Sequence, residues 1–359
     1  MYGSEYGRAP DRASCIVHHH HHALPPDTSL TPKPSLLLNM LEETEMPEVA
    51  NMPKESNMPK ESDMPKEGKP PIPQNLQEFR KAVRSLHRPC NCPKCNPEVF
   101  SPATQCKKHR EISSGEDAES NERVPSLSIQ SYEDMYLVNH VIAYINRQAQ
   151  GAHAYKLQRD ALERWQALAK DGRLLARLAK KDMRNNVSTK QLHKVLEIFN
   201  DLYFFGALKK VRIFYGTRFW RKHWGDLLGH AQTFKGRAGL HSKLELHSTL
   251  HYRTYSASGM PISEILSTLL HEALHCFFDQ STAPGCRDKQ CDFCKTRVEN
   301  IEPGHGRAFQ LVAKKLEEVV SGQLGFPLRM ARTTSFLGDL EREEGQWPSL
   351  HDLTVWGFA

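Results

Sequence analysis

The sequence predicts a mixed α+β fold in which a small β-sheet packs on a strongly apolar helix. Three observations carry that expectation. "STKQLHKVLEIFNDLYFFGAL", from 188, has helical apolar spacing; three short alternating segments follow it; and "PISEILSTLLHEALHCFF", from 261, is again helical. The predicted order is α-β-β-β-α. A helical region precedes it, and a long low-complexity segment precedes that.

The first helix starts at Ser188, with Gln191 three residues on at capping-box spacing. Its apolar stripe is Leu192, Val195, Leu196, Phe199, Leu202 and Tyr203, and Gly206 is its expected stop. "KKVRIFYG" alternates as a strand with Val211, Ile213 and Tyr215 on one side, and "LLGHAQTF" and "AGLHSKLELHS" are two further strands. Pro261 suits the first turn of the next helix. Its apolar positions, among them Ile265, Leu266, Leu269, Leu270, Ala273, Leu274 and Phe277, form a broad core face. A last amphipathic helix is expected over about 305–321, with Phe309, Val312, Leu316 and Val319 inward and Gly322 ending it.

Upstream, 131–187 reads as a helical extension. One helix carries Leu137, Val141, Tyr144 and Ile145; a second runs from about 156 through "RLLARLAKKDMR". Residues 1–130 read as mostly disordered. They hold the tract "HHHHH" at 18–22, an apolar fleck "SLLLNMLEE" at 35–43, the proline-bearing repeat "NMPKESNMPKESDMPKEG" at 51–68 and the polar linker "SSGEDAESNE". A tail, 322–359, follows the predicted α+β region 188–321.

Composition narrows the function. The hydrophobic fraction is 39%, which fits a chain that is part linker. Net charge is +6, and 151–250 alone holds 20 Lys and Arg against 8 Asp and Glu. That excess is either a solvated face or a surface for an anionic partner such as DNA. No apolar run approaches the ~18 residues of a membrane span, so no membrane role is expected. Nine cysteines with no signal-type leader point to an intracellular chain of reduced thiols. Clustered cysteines are then metal candidates.

Two such clusters stand out. Cys90, Cys92, Cys95, Cys106 and His109 offer soft ligands within 20 residues, either a small zinc knuckle or unstructured thiols. Cys286, Cys291 and Cys294 are either part of a structural zinc site or reduced cysteines in an insertion. Cys276 is read as a buried small hydrophobe.

The strongest signal is "HEALH". His271 and His275 are four apart and share a helix side; Glu272 is adjacent, rotated by about 100°. Two imidazoles on one side can reach one tetrahedral zinc that keeps a position for water. Such a metal lowers the pKa of its water towards ~7, and a neighbouring carboxylate takes the proton. A third protein ligand is needed. Glu299, Glu302 and His305 are the candidates, and His305 is preferred because Gly304 and Gly306 flank it at the start of a helix. Arg307 is read as a structural ion-pair partner or a solvent-facing residue, not as a substrate-binding one.

"LEIFNDLYFFGAL", a short β-region, "LLHEALH" and "GHGRAF", in that order, resemble the SprT-like metalloprotease domain. The likeness covers about 188–321 and is nearest to the fungal branch, which also carries a cysteine-bearing insertion before G-H-G-x-x-F. It implies a zincin-like fold, zinc on His271, His275 and His305, and Glu272 as the catalytic residue. It also implies a protein substrate, and through family members that cleave DNA-crosslinked proteins, a nuclear location. Ala273 stands where the family usually has methionine, and no cysteine follows Cys294 to build the zinc ribbon often found after this domain. The alternative from another class is a nucleic-acid-binding or scaffold protein with a silent zincin-like domain.

Overall fold

The computed structural model describes residues 15–16, 71–90, 94–95, 112, 123–151, 153–180, 183–216, 227–237, 239–248, 261–282, 304–325, 327–342 and 346–359. The chain divides into Met1–His19 with Ile72–Ala359, and His20–Pro71. The elements below all belong to the first unit. They are β1 (Cys15–Ile16), α1 (Leu76–Leu86), α2 (Asp134–Ala149), α3 (Lys156–Asp171), α4 (Arg173–Leu178), α5 (Met183–Asn186), α6 (Thr189–Tyr203), β2 (Val211–Tyr215), β3 (Gly229–Gly236) and β4 (Gly239–Leu246). After the sheet come α7 (Pro261–Ser281), α8 (Arg307–Leu324), α9 (Arg332–Glu341) and α10 (Leu350–Trp356). The structure is thus α+β, mostly helical, with a small sheet between α6 and α7.

The sheet order is β1-β3-β4-β2. β3 and β4 form an antiparallel hairpin closed at Gly236↔Gly239, and β2 runs parallel to β4 from Val211↔Ser242 to Tyr215↔Leu246. β1, only two residues long, is an antiparallel edge on β3. α7 packs on β3 and β4. Its far end is held by backbone bonds from Gln130 to Gln280 and from Ser131 to Ser281. Gln280 also ties the sheet: its amide donates to Lys209 O and Ser242 Oγ, each at 2.8 Å, and accepts from Lys209 N.

Helix boundaries follow local chemistry. The Ser188–Gln191 capping box starts α6, and Gly206 (φ 65°) takes the left-handed turn just past its end. Two expected boundaries differ. The second upstream helix is split, because Gly172 (φ 65°) ends α3 before α4 begins. The last helix of the predicted domain begins at Arg307 and passes through Gly322 to end at Gly325 (φ 83°). Its buried stripe is Phe309, Val312, Ala313, Leu316, Val320 and Leu324, so spacing past Gly322 sustains it; Val319 is half-buried and packs against the same core.

Two apolar cores result. The larger joins α2, α3, α4, α6, the sheet, α7 and α8. Gln158, fully buried, stitches it by donating to Tyr144 O at 2.9 Å and Leu202 O at 3.1 Å. The smaller comprises Phe79 and Val83 of α1, Phe336 and Leu340 of α9, Leu353 and Trp356 of α10, and Phe358. Sequence reading placed α1 inside a stretch taken as mostly disordered. It forms because Asn75 caps Glu78 N and because Phe79 and Val83, four apart, have a core to enter. The 322–359 tail, read as mixed, supplies most of that core. The fleck at 35–43 and the repeat at 51–68 lie outside the described residues.

Candidate metal centre

α7 brings His271, Glu272 and His275 to the centre of the larger core. All three are buried, Glu272 completely. The helix is therefore buried nearly all round from Ser263 to Phe277, instead of presenting a polar strip to solvent. A polar triplet inside so apolar a helix has to be satisfied from elsewhere.

The third histidine comes from the turn before α8. His305 is fully buried, and its Nε2 lies 3.1 Å from both His271 Nε2 and His275 Nε2, which are themselves 3.1 Å apart. Three nitrogens thus form a nearly equilateral triangle. On a tetrahedral metal with bonds of ~2.0–2.1 Å, ligand nitrogens sit about 3.3–3.4 Å apart. The residues present fit such an ion, and the three histidines form a group that can hold one.

The outer nitrogens say the same. His271 Nδ1 lies 2.8 Å from Met330 O, and His305 Nδ1 lies 2.9 Å from Asp339 Oδ2. Both partners are acceptors, so each Nδ1 carries the proton and each Nε2 presents a lone pair. Lone pairs facing one another at 3.1 Å repel unless a cation lies among them. Burial first, then the neighbouring His305, His271 and His230, push His275 well below the ordinary histidine range, keeping it neutral as a ligand must be.

The supports of the triad are themselves held. Asp339 also accepts from His305 N at 3.1 Å and from Arg342 Nη2 at 2.6 Å. Met330 N donates to Glu317 Oε1 at 2.7 Å, and Arg332 Nε to Glu317 Oε2 at 2.8 Å. Gln310 donates to His305 O and Arg332 O, joining the turn to the start of α9. Phe309 sits 4.7–4.9 Å, centroid to centroid, from all three imidazoles and stacks on His275. Arg307 pairs bidentately with Asp352 of α10, at 2.8 and 3.0 Å, the structural role expected of it. Burial alone would raise the Asp352 carboxyl, but the Arg307 hydrogen bond and charge outweigh it and hold it below its ordinary value.

Glu272 contrasts with this satisfied frame. Neither carboxylate oxygen has a hydrogen-bonding partner among the described residues. Burial pushes the group well above the ordinary carboxylate range. The close approach of β3 shapes its surroundings: a Cβ added at Gly229 would lie 2.7 Å from Glu272 Oε1 and 2.6 Å from Thr268 Cγ2. Next to it, His230 is buried, and desolvation lowers its pKa against a raising effect of Glu245.

Sequence reading missed Gly229, Met330, Asp339 and Glu317. Gly229 carried a signal, since a glycine inside a strand pattern marks close backbone approach. Asp339 carried none, lying 34 residues from the histidine it orients. Glu299, Glu302, Cys286, Cys291 and Cys294 lie outside the described residues, as do Cys92, Cys106 and His109. Cys276 is buried in the core, as expected. No helix among the described residues is long and apolar enough to cross a membrane. Compared with models of known families, with curated proteins and with solved structures, the chain matches none.

Proposed function

We propose that the chain is a zinc-dependent endopeptidase of the SprT-like type, with Glu272 as general base. The observation that carries the reading is the pair of buried, unpartnered Glu272 oxygens beside three converged imidazoles. A carboxylate placed only for stability would be paired, because an unsatisfied buried charge is costly.

Bound zinc would supply Lewis acidity and a water acidified towards ~7. His271, His275 and His305 would hold it, with Met330 O and Asp339 fixing two of the rings. Glu272 takes the proton of the attacking water and passes it to the leaving amine. Its desolvated site raises its proton affinity above that of an ordinary carboxylate, which makes it the stronger base. Phe309 closes one side of the triad against water.

The substrate is a protein, and DNA is the proposed partner of the basic 151–250 stretch. Arg173, Arg177, Lys180 and Arg184, along α4 and α5, are exposed, which suits phosphate contacts. A nuclear setting goes with that partner. The silent-scaffold alternative has no comparable support, since a scaffold has no need of the Glu272 carboxylate. The test is cleavage of casein and histone by the zinc-loaded chain, with and without single-stranded DNA, beside Glu272→Gln. Cleavage by the parent alone, stimulated by DNA and less so as salt rises, is expected. Equal proteolysis by both proteins under all conditions would overturn the enzyme reading.

A further inference from the structure

A second group of soft ligands is brought together far along the chain from the triad. Cys90 Sγ, Cys95 Sγ and a ring nitrogen of His351 lie within 4.8 Å of one another. Cys90 and His351 are half-buried and Cys95 is exposed.

Their meeting follows from the smaller core. Phe79 and Val83 fasten α1 beside α10, and Arg80 donates to Phe358 O just past α10. His87 turns out of α1 in the left-handed conformation (φ 48°), directing the chain towards Cys90. His351 is the second residue of α10. The Ser349–Asp352 capping box fixes that helix start, and the Arg307–Asp352 pair pins it to α8. The histidine is therefore held on a rigid element, and the cysteines are delivered to it.

We propose that Cys90, Cys95 and His351 are three ligands of a structural zinc site that staples the segment after α1 to α10. Thiolate and imidazole are the ligands such sites use. With Zn–S of ~2.3 Å and Zn–N of ~2.0–2.1 Å, ligand atoms on one tetrahedral zinc sit about 3.5–3.8 Å apart, within the 4.8 Å that bounds these three. Each cysteine loses its thiol proton to solvent, and the two thiolates neutralise the divalent charge. The pairing of Cys90 and Cys95 with a histidine about 260 residues further along is invisible in their spacing.

Cobalt(II) titration of the full chain tests this. Thiolate-to-cobalt charge transfer in the near ultraviolet requires sulfur, so neither the triad nor the 18–22 tract contributes to it. The expected band weakens by one thiolate's share in Cys95→Ser and by two in Cys90→Ser/Cys95→Ser. It gains the same single share in His351→Cys, a variant that keeps a ligand at that position. The visible band of cobalt on the nitrogen triad persists in all three and reports that the fold is intact. A band unchanged by all three variants would place the thiolate site elsewhere. Loss in Cys95→Ser with no gain in His351→Cys would leave a cysteine knuckle without α10. An absent band in the parent, or loss of the visible band in the variants, would each overturn the proposal as well, since a peripheral staple should leave the triad loaded.

Discussion

The two cores of this molecule treat polar groups in opposite ways. In the larger, three imidazoles and a carboxylate are sealed among Leu, Phe and Ala side chains, and the carboxylate has no hydrogen-bonding partner among the described residues. In the smaller, the buried charges are paired: Asp352 with Arg307, and Asp339 with both His305 and Arg342. The carboxylates beside the smaller core are thus ion-paired, whereas the Glu272 carboxylate of the larger is not. The lesson is that orientation of the triad is shared between the layers: Asp339, which holds His305, stands on α9 beside the smaller core, while Met330, whose carbonyl holds His271, belongs to the larger.

The sharpest way to break this contrast is to remove the unpaired charge. Glu272→Gln is expected to lower peptide hydrolysis by about 10²–10⁴-fold, while zinc content by elemental analysis stays at the parent's level. Unchanged turnover would make the larger core's polar cluster merely structural. Next in size is Arg307→Ala, which leaves the buried Asp352 with its Ser349 hydrogen bonds but no cation and should cost about 3–5 kcal/mol in denaturant unfolding. The same pair gives a pH signature. Because the folded Asp352 pKa lies below its unfolded value, the stabilisation is fully present above the unfolded value of ~3.9 and is lost as pH falls through the folded one. Asp352→Asn should therefore flatten the acid limb of the stability curve, and an unaltered limb would show that the pair does not pin α10.

A smaller effect tests whether the second layer tunes the first. Asp339→Asn keeps the shape but weakens the acceptor for His305 Nδ1, and zinc affinity by competition with a chelator should drop about 10–100-fold. Parental affinity would separate the two cores. Smallest is Gly229→Ala. A methyl group there meets Glu272 and Thr268 at 2.6–2.8 Å, so overpacking should cost about 1–3 kcal/mol and displace the carboxylate. Thermal unfolding reads the first effect and kcat at full zinc loading the second. A variant with both unaltered would show that β3 yields freely.

Much of this was legible in the residues. The α-β-β-β-α order followed from periodicity, and the Ser188 capping box and the strands at 211–215, 229–236 and 239–246 stand where alternation and turn residues put them. His271 and His275 were visible because helical spacing is local. His305 was reached through its flanking glycines and lies with them in space. What escaped was long-range. Asp339, Met330 and His351 act through contacts spanning 34 residues or more, and no periodicity encodes those. α1 escaped for a related reason: its apolar pair acquires meaning only once α9 and α10 are present to receive it.

One measurement addresses the central claim directly: anomalous scattering at the zinc edge from crystals of the zinc-loaded chain. The account predicts a full peak bonded to the Nε2 atoms of His271, His275 and His305, with the Glu272 carboxylate beside it and no protein group bonded to its oxygens. Clear density for the three imidazoles with no anomalous peak among them, in crystals that bind zinc elsewhere, would contradict it.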